Sequence, residues 1–487
     1  MTSVLKQKTI NGLFWSFIDN ISSHGITFII GLILARLLEP SEFGLIGLIT
    51  VFIAISSTFI NSGFSAALIR KTDCTDKDYS TVFYFNLATG IFFYFLLLLS
   101  SNAISRFFKE PELSPLIKVL GIVLIIDSLT IIQRTILTKR VNFKLQTKIS
   151  VISAIFSGIV GILMAIKGLG VWSLVGKQIC QQALNSFLLW FWNKWRPLLV
   201  FSMKSFKELF SFGYKLLLSG LIDTIYRNVY NLIIGKYFST AELGFYTRSN
   251  SFVNLPSQNL EGIIGRVSYP VLAEIQDDPV KLKSGFKNIL KNTMYLSFIL
   301  MAGMAATAEP MIIALIGEKW RNSIIYLQLL CFVGAMYPLH SLNLNILNVK
   351  GRSDLFLRLE IIKKVLAIPA IIIGILWGIK IMILGMWFNT IVAYYINSYY
   401  SGRLINYSMR DQISDIVPYL ILAIFMGGTV YIAGYLMPWG YLVKLILQIL
   451  LGGFVIILIS EFFKIDAYIY MREIVFNKFS SFKNVRK

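Results

Sequence analysis

The segment Gly31-Leu-Ile-Leu-Ala-Arg36-Leu-Leu-Glu-Pro-Ser-Glu42-Phe-Gly44 returns two hundred residues later as Asn231-Leu-Ile-Ile-Gly-Lys236-Tyr-Phe-Ser-Thr-Ala-Glu242-Leu-Gly244. In both copies a basic residue ends one apolar run and a Glu-x-Gly turn opens the next. A second correspondence sets Lys167-Gly168-Leu-Gly-Val-Trp172 beside Trp377-Gly378-Ile-Lys-Ile-Met382, with Arg140 falling on Lys350. Collinear matches of this kind mark repeat-built transporters. They predict that helices 1–6 recur as helices 7–12, with helices 13 and 14 added. Because six is even, the two copies share one topology, related by an axis along the membrane normal.

Working outward, the chain around these segments is too apolar for a soluble protein. Of its 487 residues 56% are apolar and 15% charged, against roughly 45–50% and 25% in soluble chains. Apolar runs bounded by charge, Pro or Gly predict spans at 11–37, 42–68, 80–105, 114–137, 148–166, 171–193, 209–236, 241–274, 286–308, 322–348, 357–377, 381–405, 416–436 and 440–463. The fold class expected is therefore an all-α polytopic membrane protein of 14 transmembrane helices, with two six-helix lobes around a central cavity and two extra C-terminal helices. The domains expected are an N-terminal lobe over 1–193, a cytoplasmic linker over 194–208, a C-terminal lobe over 209–405, helices 13 and 14 over 406–463, and a basic tail over 464–487. That tail carries Tyr468, Tyr470, Phe476, Phe479 and Phe482 among basic residues, a mixture suited to the headgroup layer.

The net charge of +21 does not point to nucleic acid, because Lys and Arg are scattered in short clusters between apolar runs. Most of the 46 lie in the connections that share a side with the termini, so the positive-inside rule places both termini in the cytoplasm. The N-terminus has Lys6 and Lys8 before an apolar run interrupted by Asp19, Asn20 and His24, with no small-residue cleavage site, and reads as an uncleaved first span. Three cysteines, Cys74, Cys180 and Cys331, support neither a disulfide framework nor a zinc site. No metal site, cofactor or catalytic constellation is expected. The sequence has no Gly-rich phosphate loop and no Gly-x-Ser-x-Gly elbow, and two histidines leave little acid–base equipment.

Polar groups in hydrocarbon are costly, so within a span they face protein or water. Helix 1 carries Asp19, Ser23 and Thr27 at four-residue steps, with Ser16, Asn20 and His24 beside them. Helix 2 carries Ser57, Asn61 and Ser65, helix 4 Asp127, Thr130 and Arg134, helix 6 Lys177, and helix 10 His340, Asn343 and Asn345. Helix 7 has the stripe Gly220, Asp223, Arg227, Asn231. Helix 8 is polar around much of its circumference, with Arg248, Asn250, Asn254, Gln258 and Glu261, and Pro256 interrupts it. Asp223 and Arg227, four apart, can also simply neutralise each other. Stripes of Ser, Thr and Asn also serve to join helices. Lys215, Lys363 and Lys364 lie near helix ends, where long stems snorkel.

Several runs carry a family resemblance. Asn61-Ser-Gly-Phe-Ser-Ala-Ala-Leu-Ile-Arg70, Tyr79-Ser-Thr-Val-Phe-Tyr-Phe-Asn86 and Gly168-Leu-Gly-Val-Trp-Ser-Leu174 occur in the first half. Ile234-Gly-Lys-Tyr, Leu243-Gly-Phe-Tyr246, Leu255-Pro-Ser-Gln258, Tyr269-Pro270 with Ile275-Gln-Asp-Asp278, and Gly317-Glu-Lys-Trp320 follow in the second. From about residue 4 to about 465 the chain resembles Wzx-type polysaccharide flippases of the colanic-acid and teichuronic-acid branch. The resemblance implies the multidrug/oligosaccharidyl-lipid/polysaccharide exporter fold in the bacterial cytoplasmic membrane. It also implies a polyprenyl-diphosphate-linked oligosaccharide as substrate, moved by alternating access to the periplasmic or outer leaflet for surface polysaccharide assembly. The family's cationic cavity would here be supplied by Arg227 and Arg248, while helix 1, with Asp19 and His24, departs from the arginines of the related lipid II flippases.

Within that expectation, Asn61, Asn250, Asn254 and Gln258 are candidate sugar contacts, and Asp19, Asp223 and Glu261 are candidate sites for a coupling proton or sodium ion. His24, Asp127, Arg134 and Lys177 are secondary cavity candidates. Expected partners are membrane lipids and other polysaccharide-assembly proteins, with no nucleic acid. Two alternatives compete: a cation-coupled small-molecule exporter of the same superfamily, and a membrane-embedded glycan polymerase or ligase. The second needs a substantial extramembrane loop bearing catalytic residues, and no connection exceeds roughly twenty residues.

Overall fold

The computed structural model describes Ser22, residues 24–264 and residues 268–473. Ser16, Asp19, Asn20, Ser23, Arg266, the side chain of Gln258, and Phe476, Phe479 and Phe482 lie outside the described residues. Among the described residues there is no strand. The helices run in the order α1 (His24–Leu37), α2 (Pro40–Asn61), α3 (Phe64–Arg70), α4 (Asp76–Phe108), α5 (Leu113–Leu120), α6 (Ile122–Lys139), α7 (Phe143–Ile166), α8 (Val171–Trp192) and α9 (Met203–Tyr237). They continue with α10 (Thr240–Ile263), α11 (Tyr269–Glu274), α12 (Pro279–Ala306), α13 (Ala308–Ile316), α14 (Ser323–Val349), α15 (Ser353–Trp377), α16 (Ile379–Ile405), α17 (Met409–Leu436) and α18 (Tyr441–Phe462).

Among the described residues, nine helical segments are both long and apolar enough to cross a membrane. They are Pro40–Arg70, Asp76–Phe108, Leu113–Lys139, Phe143–Ile166, Pro279–Ala306, Ser323–Val349, Ile379–Ile405, Met409–Leu436 and Tyr441–Phe462. The long helices that fall short, α8, α9, α10 and α15, carry Lys177, the Asp223–Arg227 pair, Arg248 with its neighbouring amides, and Glu360, Lys363 and Lys364, whereas the stripes of α2, α6 and α14 lie on helices that remain apolar enough to span. Many large apolar side chains point outward, as on a surface solvated by lipid: Leu99 is 78% and Tyr435 84% exposed.

The chain divides into two compact units, Met1–Thr247 and Arg248–Lys487, with the boundary inside α10. In the first unit α7 packs on α8, α4 on α6, and α9 on α2, α3 and α4. One core gathers Phe64, Leu68, Val82, Phe83, Ile132, Ile136, Trp195 and Leu209. Phe64 lies edge-on to Phe85 at 5.1 Å between ring centres. The predicted span 42–68 is broken between α2 and α3, where Ser62 and Gly63 take φ of 45° and 70°. Gly213 of α9 seats against this break, since a Cβ there would stand 2.7 Å from the Ser62 carbonyl oxygen.

The chain between α8 and α9 is strapped to the start of α4. The Ser80 and Thr81 hydroxyls accept from the backbone N–H groups of Leu198 (2.8 Å) and Ser202 (3.0 Å). Trp195 Nε1 donates to Asp76 (3.1 Å), and Gln133 Nε2 donates to the Trp195 carbonyl (3.3 Å). At the same end Lys71 pairs with Glu208 at 3.0 Å and Asp78 at 3.3 Å. Burial disfavours the Lys71 ammonium, but the bonds to Glu208 and Asp78 outweigh it and hold its pKa above the usual lysine value.

The two aligned segments meet inside this unit. A Cβ on Gly44 would lie 1.8 Å from the Thr240 carbonyl oxygen, and one on Gly244 would lie 1.8 Å from that of Pro40. The repeat-related pair Gly47 and Thr247 also touch, with a Cβ on Gly47 3.2 Å from Thr247 Cγ2. Glycine is required twice because two helix starts cross backbone to backbone.

In the second unit α12 packs on α14 and α17, α14 on α16, α15 on α16, and α18 on α13 and α17. Buried polar links join these helices: Ser401 Oγ to Asn343 at 2.5 Å, Tyr295 to Ser460 at 2.9 Å, and Trp387 Nε1 to the Leu329 carbonyl at 2.7 Å. Residues 466–473 of the tail form a further helix, held by Asp466 to Lys291 (3.4 Å) and by Arg472 to Glu461.

Candidate functional site

In the first unit the polar stripes of α2 and α9 meet through Thr58 and Thr224, whose hydroxyls are 3.0 Å apart. One turn away, Arg227 Nε donates to Asp223 at 2.8 Å. The side chains of this pair are 57% and 44% exposed, so both charges stand on an open face of α9 rather than in a closed core. Asn61, at the end of α2, is exposed and accepts from Ser65 Oγ at 2.9 Å, and Ser65 in turn accepts from Thr135 of α6 at 3.1 Å. The predicted helix 2 stripe is thus a chain of hydroxyl and amide contacts that ties α2 and α3 to α6, with Asn61 at its open end.

The secondary candidates are dispersed. His24 is exposed on α1, Asp127 is half-buried and Arg134 exposed on α6, and Lys177 is half-buried on α8 with its stem against Gly161 of α7.

In the second unit α10 is fastened to α14 by Ser249 Oγ, which donates to the Ser323 carbonyl at 2.8 Å, and by Ser257 Oγ, which donates to that of Gly334 at 3.5 Å. Arg248 is only 8% exposed and lies 5.9 Å from the ring centre of Phe252, a cation–π arrangement. Asn250, Asn254 and Glu261 are half-buried. At 3.6 residues per turn, Arg248 stands about 160° from Asn250 and about 120° from Asn254 around the helix axis. The guanidinium and the amides therefore occupy different faces of α10. Sequence reasoning missed Thr58 and Thr224, which pair across helices, and Thr135, which donates to Ser65; only Ser65 belonged to a stripe read from the sequence, with Ser57 and Asn61.

Long apolar helices, buried polar links between them and polar stripes confined to a few helices define a multi-pass membrane transporter fold. A solved structure of the lipid II flippase MurJ in an inward closed conformation superposes with a TM-score of 0.75, covering 94% of this chain and 99% of that one at 15% identity. The chain belongs to the polysaccharide biosynthesis protein family, whose model matches residues 33–325. It is 30% identical over 358 residues to the teichuronic acid biosynthesis protein TuaB of Bacillus subtilis, covering 73% of this chain and 74% of that protein. It is 28% identical over 376 residues to the lipopolysaccharide biosynthesis protein WzxC of Escherichia coli, covering 76% of each.

Proposed function

We propose that this protein is a flippase, not an enzyme, that moves polyprenyl-diphosphate-linked oligosaccharide units from the cytoplasmic to the outer leaflet by alternating access. The observation that carries this reading is the pairing of relatives named for two different surface polysaccharides with the fold of a lipid flippase. Polymers of such different chemistry share one physical problem, the passage of a sugar head and diphosphate through hydrocarbon. A spanning protein solves it by offering a polar path to each side in turn while the polyprenyl tail stays in lipid.

On this reading both termini are cytoplasmic, as the basic connections favour. Arg227 and Arg248 contact the diphosphate or an acidic sugar, and Asn61, Asn250, Asn254 and Gln258 contact hydroxyls. Asp19, Asp223 and Glu261 are the candidate sites for a coupling proton or sodium ion. An inside-negative potential of 100 mV favours outward movement by about 2.3 kcal/mol per negative charge, and arginines that move with the diphosphate cancel part of that gain. In a strain lacking its own flippase, Arg227→Ala and Arg248→Ala, each at normal membrane abundance, are expected to leave surface polysaccharide at background. Full export by both variants overturns the cationic contact, and failure of the unaltered chain to restore any glycan overturns the flippase reading.

A further inference from the structure

Beside the starting end of α2 the first unit has an apolar groove of about 600 Å³, lined by Phe52 of α2, Ala103, Ile104, Phe107 and Phe108 of α4, and Leu232, Ile233, Lys236 and Tyr237 of α9. The contact of Gly44 with Thr240 sets the start of α2 beside the end of α9, so Lys236 and Phe108 mark one membrane face. Ala103–Phe108 and Leu232–Tyr237 each give the groove about 8 Å of helix, and Phe52 closes it with its ring 6.2 Å from that of Phe108. The groove thus takes the interfacial end of a hydrocarbon chain, about a quarter of the roughly 30 Å of hydrocarbon. Its floor is apolar, and its one cation sits at the interfacial end.

Lys236 Nζ donates to the Phe107 carbonyl and stands 3.8 Å from the centre of the Phe107 ring. An ammonium has three donors and one is used here, leaving two for a further acceptor. Arg106 and Lys109 are exposed in the last turn of α4, offset in part by Glu110 and Glu112. Phe107 and Tyr237 are 54% and 59% exposed, and Tyr237 is of the amphipathic type that sits at headgroup level. Water finds few partners on such walls, whereas a hydrocarbon chain topped by an anion matches them along their length.

We propose that this groove binds an anionic phospholipid of the surrounding membrane, one acyl chain between α4 and α9 and its phosphate on Lys236. The face of α9 decides against the transported lipid as occupant. Leu232 and Lys236 follow Asp223 and Arg227 by nine residues each, which at 100° per residue is half a turn. The groove is therefore on the side of α9 opposite the polar stripe, and the proposal stands whether or not the stripe forms the transport path. The bound lipid wedges the ends of α4 and α9 and fixes their spacing.

The test uses the full-length purified protein with phosphatidylglycerol and phosphatidylcholine of identical chains, offered in equal amounts and counted by native mass spectrometry. A basic residue near the surface contributes about 1 kcal/mol towards an anionic lipid, so about a fivefold preference for phosphatidylglycerol is expected. Lys236→Gln is expected to bring that ratio close to one, Lys236→Arg to retain it, and Ala103→Trp, which fills the groove, to reduce retention of both lipids. Equal retention of the two lipids by the unaltered chain overturns the proposal, as does an undiminished preference in both Lys236→Gln and Ala103→Trp. Displacement of phosphatidylglycerol by an equimolar polyprenyl phosphate overturns it in favour of the carrier lipid.

Discussion

Asp223 and Arg227 bring two readings into direct conflict. As an exposed pair at 2.8 Å, they resemble ion pairs that contribute only about 0.2–1 kcal/mol. If neutralisation is their whole purpose, removing both charges together is harmless. The double substitution Asp223→Asn with Arg227→Gln is therefore expected to change thermal stability by less than about 1 kcal/mol, yet to abolish glycan export as fully as Arg227→Ala. Normal export by the double variant makes the pair structural. At this scale the sequence was a partial guide. A charge in an apolar run is visible in one dimension, and the i,i+4 spacing foretold the Asp223–Arg227 bond. What it could not show is that Arg248 turns away from Asn250 and Asn254 into burial against Phe252, because a helix polar on several sides has no preferred face. The Thr58–Thr224 contact was equally hidden, since its partners are 166 residues apart and neither is unusual alone.

Between elements, the repeat that opens and closes the first unit becomes a contact. Gly44 lies against the Thr240 carbonyl and Gly244 against the Pro40 carbonyl, each at a distance that leaves no room for a Cβ. Gly44→Ala and Gly244→Ala must therefore push α2 and α10 apart. Overpacking usually costs about 1–3 kcal/mol, and the equivalence of the two positions predicts similar penalties, checked by thermal unfolding of each variant in the same detergent. A penalty at one position and none at the other removes the symmetry of the crossing. The equivalence of the two glycines was legible in the aligned segments, but their contact was not, because an alignment carries no distance. The strap onto α4 was not. Ser80 and Thr81 read as unremarkable residues near a helix start, and the N–H groups they accept from lie 118 and 121 residues away. The break at Ser62–Gly63 also escaped notice, because small residues within an apolar run fit a continuous span until Gly213 is seen to occupy the notch.

Across the whole molecule, composition set the class, and departures from it set the details. Among the described residues nine helical segments meet the length and apolarity needed to cross a membrane, while α8, α9, α10 and α15 fall short because each carries charges or amides that are costly in hydrocarbon. The shortfall does not track lipid exposure, since Leu357, Val365, Ile372 and Leu376 of α15 are 52–70% exposed, so hydropathy alone does not tell a weak span from a functional one. The placement of the ends relative to the membrane rests on charge rather than on helix packing, because a bundle and its inverted copy have the same internal contacts. Lys and Arg resist transfer across the bilayer, and the proposed orientation with the more basic connections in the cytoplasm makes a labelling prediction. In a chain freed of Cys74, Cys180 and Cys331, single cysteines at two exposed positions divide the outcomes. Asn322→Cys, before α14, is expected to react with a membrane-impermeant maleimide in intact cells. Thr72→Cys, between α3 and α4, should react only after permeabilisation, and labelling in the reverse order inverts the topology and with it the direction assigned to transport.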